Sequence, residues 1–333
     1  MSKFTRTAYP PVSRIKSLAP LDRKAHKSHT LFGINGISFT PMLQARSFTY
    51  ASDEQKWWQQ SFIRCVEVFT GRLKVWRLYA EYCKEYLSTD ETFWDAAIRK
   101  LDLTVKYDRE KLASIPKTGP LVVVANHPYG VLDGVIITHM MMRVRDDFKV
   151  LTNSVLCQAP EASAALLPID FATTEEALHT NLQTRKAARE ILKNNGCITV
   201  FPAGGVSTIP TWKDKVAQDT AWQPFIARLI QESKADVVPI FFEGQNSRLF
   251  QCASLLSPTL RLSLFFKEVA DKIGCEIGVV IGDLIKFEDI AHIKDRAALC
   301  HHLRKETYRI GGMGTLPEPK AAYRLDDGKR KER

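Results

Sequence analysis

An imidazole followed six residues later by a carboxylate is a minimal kit for a general base. The segment Leu121-Val-Val-Val-Ala-Asn126-His127-Pro128-Tyr-Gly130-Val-Leu-Asp133-Gly134 holds one. Imidazole accepts a proton near neutral pH, and a carboxylate beside it fixes its tautomer and stabilises the imidazolium formed. Activation of an acyl-accepting hydroxyl needs such a base. The pair recurs easily by chance, so its setting carries the weight. Here an apolar run that reads as a strand leads into the histidine, and an apolar stretch that reads as a helix follows the turn. His127 is therefore expected at the carboxyl end of a strand, and Asp133 in the first turn of the next helix. That is the rim where open α/β sheets collect reacting groups.

Two further segments repeat the strand-to-loop pattern. Cys197-Ile-Thr-Val-Phe201-Pro202-Ala203-Gly204-Gly205-Val206-Ser207-Thr208 opens into small residues. Their amides can approach an anionic headgroup or the oxyanion of a tetrahedral intermediate, although a plain tight turn reads equally well. Val237-Val238-Pro239-Ile240-Phe241-Phe242-Glu243-Gly244-Gln245-Asn246-Ser247-Arg248 carries a proline inside an apolar strand, which implies an edge or a local distortion. Arg248 suits an anionic headgroup or a surface ion pair, and Glu243 and Asn246 read as turn residues.

The elements that must hold these segments alternate. Strands are expected at 121–126, 148–152, 197–202, 236–242 and 276–282, and helices at 131–144, 174–194, 218–232 and 288–306. This predicts an α/β sandwich around a mostly parallel sheet. Upstream, Phe62, Val66, Phe69, Leu73, Trp76, Ala80, Cys83 and Leu87 recur every three or four residues with basic residues between them, which predicts one cationic amphipathic helix from Trp58. It can pack on the core or lie in a lipid interface. A second helix follows Ser88-Thr89-Asp90-Glu91 and ends near Leu101. The expected division is a basic, mostly disordered arm (1–50), an amphipathic helical membrane-interface element (51–105), a catalytic domain (106–312) and a basic tail (313–333).

The net charge of +10 resides mainly in those ends, which suits an anionic membrane surface or an acidic carrier protein. Nucleic acid is not an expected partner, because the aromatics gather in the amphipathic stretch and not in a basic stacking patch. No run is long and apolar enough for a signal or a membrane span, so a peripheral protein on the cytoplasmic face of the inner membrane is expected. The seven cysteines form no Cys-x-x-Cys pair and read as buried reduced thiols. No metal or other cofactor is expected, and His301-His302 reads as a surface or helix-end pair.

Taken in order, Asn126-His-Pro-x-Gly-x-x-Asp-Gly, Leu167-Pro168-Ile169-Asp170, Phe201-Pro-Ala-Gly-Gly-Val-Ser207 and Val238-Pro239-Ile240 resemble the four blocks of the glycerolipid acyltransferase superfamily. The likeness is greatest to its bacterial hemolysin-like, 1-acylglycerol-3-phosphate acyltransferase-like branch and covers roughly residues 90–310. The resemblance implies a glycerol-3-phosphate acyltransferase-like sandwich. It also implies transfer of a fatty acyl group from acyl-carrier protein or acyl-coenzyme A to the hydroxyl of a lysolipid acceptor. His127 would be the base and Asp133 its orienting partner. Asn126, Gly130, Pro202, Gly204, Gly205, Ser207 and Arg248 would line the substrate site.

Two departures bear on the substrate. Five residues separate His127 from Asp133 where the commonest family form has four, and Gly130 is the residue able to absorb the extra one. The usual third block, Phe-Pro-Glu-Gly-Thr-Arg-Ser, has an acid and an arginine that help hold glycerol phosphate; Ala203 and Val206 stand in their places. A 1-acylglycerol-3-phosphate type of acceptor is thereby weakened, and an amino-acid lipid such as lyso-ornithine lipid is compatible with the loss. A reading of another class is a catalytically silent lipid-binding membrane module.

Overall fold

A computed structural model describes residues 49–51, 55–85, 91–153, 160–169 and 175–314. The basic arm to residue 48, the tail from residue 315, Cys157 and Asp170 lie outside them. Seven strands form one sheet: β1 (Thr104–Lys106), β2 (Leu121–Ala125), β3 (Phe148–Asn153), β4 (Leu166–Ile169), β5 (Cys197–Val200), β6 (Asp236–Phe242) and β7 (Glu276–Ile281), in the order β1-β7-β6-β2-β5-β3-β4. β2, the strand before His127, is central and pairs in parallel with β5 and β6. Its five residues are all buried, as a parallel strand covered on both faces requires. β7 runs antiparallel to β6, so β1 and β7 form a reversed edge to an otherwise parallel sheet.

One core packs Val123 and Ala125 against Ile136 and Met140 of α5 (Val131–Met141) and Trp94 of α3 (Phe93–Lys100). The other packs Val122 and Val124 against α7 (Glu175–Lys193), α8 (Pro224–Ser233) and α13 (Arg296–Ile310). The result is the expected mixed α/β sandwich. Among the described residues no helix is long and apolar enough to cross a membrane.

Several boundaries differ from the sequence reading. The helix expected from Trp58 breaks at Gly71 into α1 (Trp57–Thr70) and α2 (Arg72–Glu85). Gly71 has φ +144°, and a Cβ there would lie 2.7 Å from the Phe266 carbonyl oxygen, so only glycine allows this close approach. The inner face of α1 is fastened: Ile63 and Glu67 are buried, and the Glu67 carboxylate accepts from the Thr49 hydroxyl (2.6 Å) and the Tyr50 amide (2.8 Å). Its outer face leaves Trp57 and Phe69 about four-fifths exposed (79% and 84%). The inner face thus packs on the core, and the outer face presents aromatic side chains to the surface.

The short strands β1 and β4 were not expected, nor were α4 (Arg109–Ser114) and α6 (Pro160–Ser163). The turn after β6 continues into three unexpected helices, α9 (Arg248–Leu256), α10 (Pro258–Ser263) and α11 (Phe265–Asp271), against which α1 and α2 pack. Ser257 ends α9 and caps α10 through Thr259 N, with Pro258 as the first helical residue. The helix expected at 218–232 starts only at Pro224, because Gln218 is held extended by paired hydrogen bonds to Thr208. The one expected at 288–306 splits into α12 (Phe287–Ile290) and α13, the latter capped by Asp295. His301 and His302 lie within α13, not at its end.

Pro239 does not mark an edge, since β6 lies between β2 and β7. It marks the point where the β7 ladder stops: Ile240 pairs with Ile281, the Pro239 carbonyl accepts from Gly282, and Val237 pairs instead with Ile285. The described cysteines are all free thiols. Cys197 and Cys300 are buried, but Cys65 is exposed on the outer part of α1, contrary to the expectation for the set.

Candidate active site

The rim at the carboxyl ends of β2, β5 and β6 brings together the His127 turn, the 201–207 loop and the 243–247 turn. His127 Nδ1 lies 3.0 Å from Asp133 Oδ2, so the extra residue between them does not prevent contact. Gly130 makes this possible. It turns with φ +73°, and a Cβ would meet Val206 Cγ2 at 3.1 Å and Phe265 at 3.4 Å. The Tyr129 and Gly130 amides both donate to Asp133 Oδ2, at 2.8 and 2.9 Å. Asp133 thus closes the turn as well as facing the imidazole.

Asp133 is fully buried, which pushes its carboxyl up from the ordinary aspartate range. The His127 ring and the two amides act against that push by favouring the anion. With Nδ1 bearing the proton that faces the carboxylate, Nε2 is the basic nitrogen. The ring stacks on Phe201 at 4.1 Å between centroids, and its side chain keeps 18% exposure. One ring nitrogen is therefore held against the carboxylate, and part of the ring side chain remains exposed.

The remaining residues singled out in the sequence take varied positions. Asn126 is buried and spent on the sheet: its amide donates to the Phe242 carbonyl (2.9 Å) and accepts from the Phe242 amide (2.7 Å), joining the rims of β2 and β6. Pro202 is buried, and its carbonyl accepts from Gln223. The Gly204 amide closes a turn onto the Phe201 carbonyl, with φ +70°. The Gly205 and Val206 amides carry no hydrogen bond to another described residue and are the donors left for a ligand oxygen. The Ser207 amide donates to the His127 carbonyl at 2.8 Å, which seats the loop on the histidine. Arg248 is exposed at the start of α9 and donates to the Asp214 carbonyl, so it fastens the loop after Ser207. No hydrogen bond joins it to His127 or Asp133.

Three residues that the sequence reading passed over complete the rim. Asp219, almost fully buried, accepts from Ser207 Oγ (2.6 Å), Trp222 Nε1 (2.9 Å) and the His127 amide (3.2 Å). Tyr308 of α13 accepts from the Asp219 amide at 2.7 Å. The available signal was Asp219-x-x-Trp222 shortly after the third block, hidden when 218–232 was read as helix. Tyr129 donates to the Glu243 carbonyl (2.8 Å), and burial, then the Asp133 charge, push its phenol up to about 12, so it stays protonated at neutral pH. Among the described residues no group of three or more His, Cys, Asp or Glu could hold a metal ion.

A mostly parallel α/β sandwich whose central strand delivers a histidine onto a buried aspartate has the frame and the base for hydroxyl activation. Residues 79–308 match the model of the acyltransferase family, and the chain belongs to that family. It is 30% identical over 176 residues to a lyso-glycine lipid O-acyltransferase of Bacteroides thetaiotaomicron, covering 50% of this chain and 57% of that protein. It is 27% identical over 162 residues to a lyso-glycine lipid O-acyltransferase of Phocaeicola vulgatus, covering 47% of this chain and 53% of that one. The matches thus span little more than half the length of these relatives. Among solved structures, the crystal structure of the 1-acyl-sn-glycerophosphate (LPA) acyltransferase PlsC of Thermotoga maritima aligns with a TM-score of 0.43 at 12% identity, over 83% of this chain and 89% of that one.

Proposed function

We propose that this chain is an O-acyltransferase that moves a fatty acyl group from a thioester donor, acyl-carrier protein or acyl-coenzyme A, to the hydroxyl of a lysolipid with an amino-acid headgroup. The contact of His127 Nδ1 with the buried Asp133, which leaves Nε2 reachable, carries this reading. His127 Nε2 takes the proton of the acceptor hydroxyl as its oxygen attacks the thioester carbonyl. The Gly205 and Val206 amides receive the oxyanion. Collapse of the intermediate breaks the C–S bond, and the departing thiolate takes the proton back from the imidazolium. No covalent acyl-enzyme is needed.

The acceptor follows from the third block and the relatives. Ala203 and Val206 supply neither the acid nor the cation that the resemblance associates with glycerol phosphate. The named relatives act on lyso-glycine lipid. A glycine-type acceptor is accordingly favoured over the 1-acylglycerol-3-phosphate type first expected. The outer face of α1, with Trp57, Trp58, Phe62 and Phe69 exposed and basic residues nearby, suits peripheral binding to an anionic membrane surface, at the cytoplasmic face where such donors are made. Residues 51–105 form the interface element and 106–312 the catalytic domain in this reading.

A labelled acyl thioester offered with lyso-glycine lipid, lyso-ornithine lipid and lysophosphatidic acid, beside a His127→Ala control, tests the proposal. Transfer to an amino-acid lysolipid that disappears in the control supports it. Transfer to lysophosphatidic acid alone overturns the acceptor, and absence of transfer from both donors favours a silent lipid-binding module.

A further inference from the structure

The carboxylate missing from the third block has a counterpart nearby. Asp219 sits on the loop that returns from that block and accepts from the His127 backbone amide, whereas Asp133 faces the ring. Two of its three donors, the His127 amide and Trp222 Nε1, can only donate, and the Ser207 hydroxyl completes the set. Burial pushes the Asp219 carboxyl up from the ordinary aspartate range, and these three donors and the His127 ring act against that push by favouring the anion. The same Ser207 holds the His127 carbonyl through its own amide. Both backbone groups of His127 are thus gripped by one carboxylate–serine unit, while Asp133 grips the ring.

We infer that Asp219 is a positioning residue for the general base: a second buried carboxylate that fixes the His127 backbone and adds to the field stabilising its imidazolium. The inference rests on the reading of His127 as the base. The other titratable groups packed around the unit are Asp133 and Tyr129 from the first turn and Tyr308 and Arg304 from α13. Arg304 is bound by the Gln218 side chain and the Asp219 carbonyl, with no hydrogen bond to the Asp219 carboxylate. The Asp219 carboxylate also interacts electrostatically with the His127 imidazole.

Removing a nearby negative charge lowers the pKa of a histidine. Asp219→Asn should therefore shift the NMR titration midpoint of His127 down by about one unit, with the signal identified by its loss in His127→Ala. The acid limb of kcat/KM should move the same way, and kcat should fall by about 10-fold. Ser207→Ala keeps the carboxylate, so it should slow turnover while leaving the midpoint in place; an equal shift in that variant would assign the effect to loop disorder and overturn the inference. If Asp219→Asn does not fold by circular dichroism, Asp133→Asn decides. With Asp219 the remaining carboxylate beside His127, turnover in that variant should persist above the His127→Ala level, whereas turnover equal to His127→Ala would mean that Asp219 contributes no field. The NMR readouts do not depend on turnover, so loss of the acyltransfer reading and loss of this inference register separately.

Discussion

Helix α5 carries one member of each of two histidine–aspartate pairs, one near each end, and the proposed chemistry falls on the first alone. At its start Asp133 faces His127 at 3.0 Å; near its end His139 Nδ1 lies 2.8 Å from Asp95 Oδ1 of α3. The distances barely differ, but the surroundings do. Asp95 also binds the Arg143 guanidinium at 2.9 Å and the Thr92 hydroxyl at 2.9 Å. Although burial alone would raise its carboxyl, His139 and Arg143 hold it well below the usual range. A carboxylate already neutralised by a permanent cation has little left with which to stabilise an imidazolium that forms transiently. Among the described residues Asp133 faces no cation but His127, and it sits at the carboxyl ends of the strands. A close His–Asp contact is thus insufficient to define a base; the competing partners and the access of the second nitrogen decide.

The sharpest way to break the comparison is to remove each histidine. His127→Ala should lower kcat by about 100- to 10,000-fold with the fold intact by circular dichroism, whereas His139→Gln should leave kcat within about twofold. Comparable losses in both would show that the second pair also serves turnover. Gly130→Ala comes next: positive φ and contact with Val206 and Phe265 predict about 1–3 kcal/mol of destabilisation and roughly 10- to 100-fold slower turnover as His127 and Asp133 move apart, read by denaturant unfolding and steady-state rates. Asp95→Asn should act on stability alone, lowering Tm by about 3 °C near neutral pH. Because the folded Asp95 titrates below its unfolded value, its contribution is present above about pH 4 and fades as pH falls, so the Tm gap from the parent should close in acid. Smallest in its effect on the fold, Trp57→Ser with Phe69→Ser should leave Tm within about 1 °C while cutting vesicle flotation several-fold.

What was legible in the sequence follows the strength of local signals. β2 was readable because five consecutive apolar residues, bounded by Pro120 and Asn126, fit a strand buried on both faces. Gly130 was readable because an added residue in a tight turn demands a conformation that glycine alone supplies easily. β1 and β4 were not, since strands of three and four residues exist through their partners, here β7 and β3. The break at Gly71 was masked because the apolar period continues across it, and its cause is the Phe266 backbone, almost two hundred residues away. Asp219 was hidden for a related reason. Its role arises only when the Thr208–Gln218 bridge folds an irregular segment back onto His127, and the Asp219-x-x-Trp222 spacing says nothing of that distant partner.

The carboxylate of Asp133 is used on one side only. Oδ2 takes the His127 ring contact and both amides, while Oδ1 lies buried with no hydrogen-bond partner. An asparagine placed there could seat its oxygen where Oδ2 sits and so keep both turn amides, with its NH2 group on the Oδ1 side. Such a protein would lose the ion that faces the imidazole ring and keep Asp219 beside the His127 backbone. Asp133→Asn is thus the variant in which transfer is slowed with the turn in place, so that donor and acceptor could be observed together.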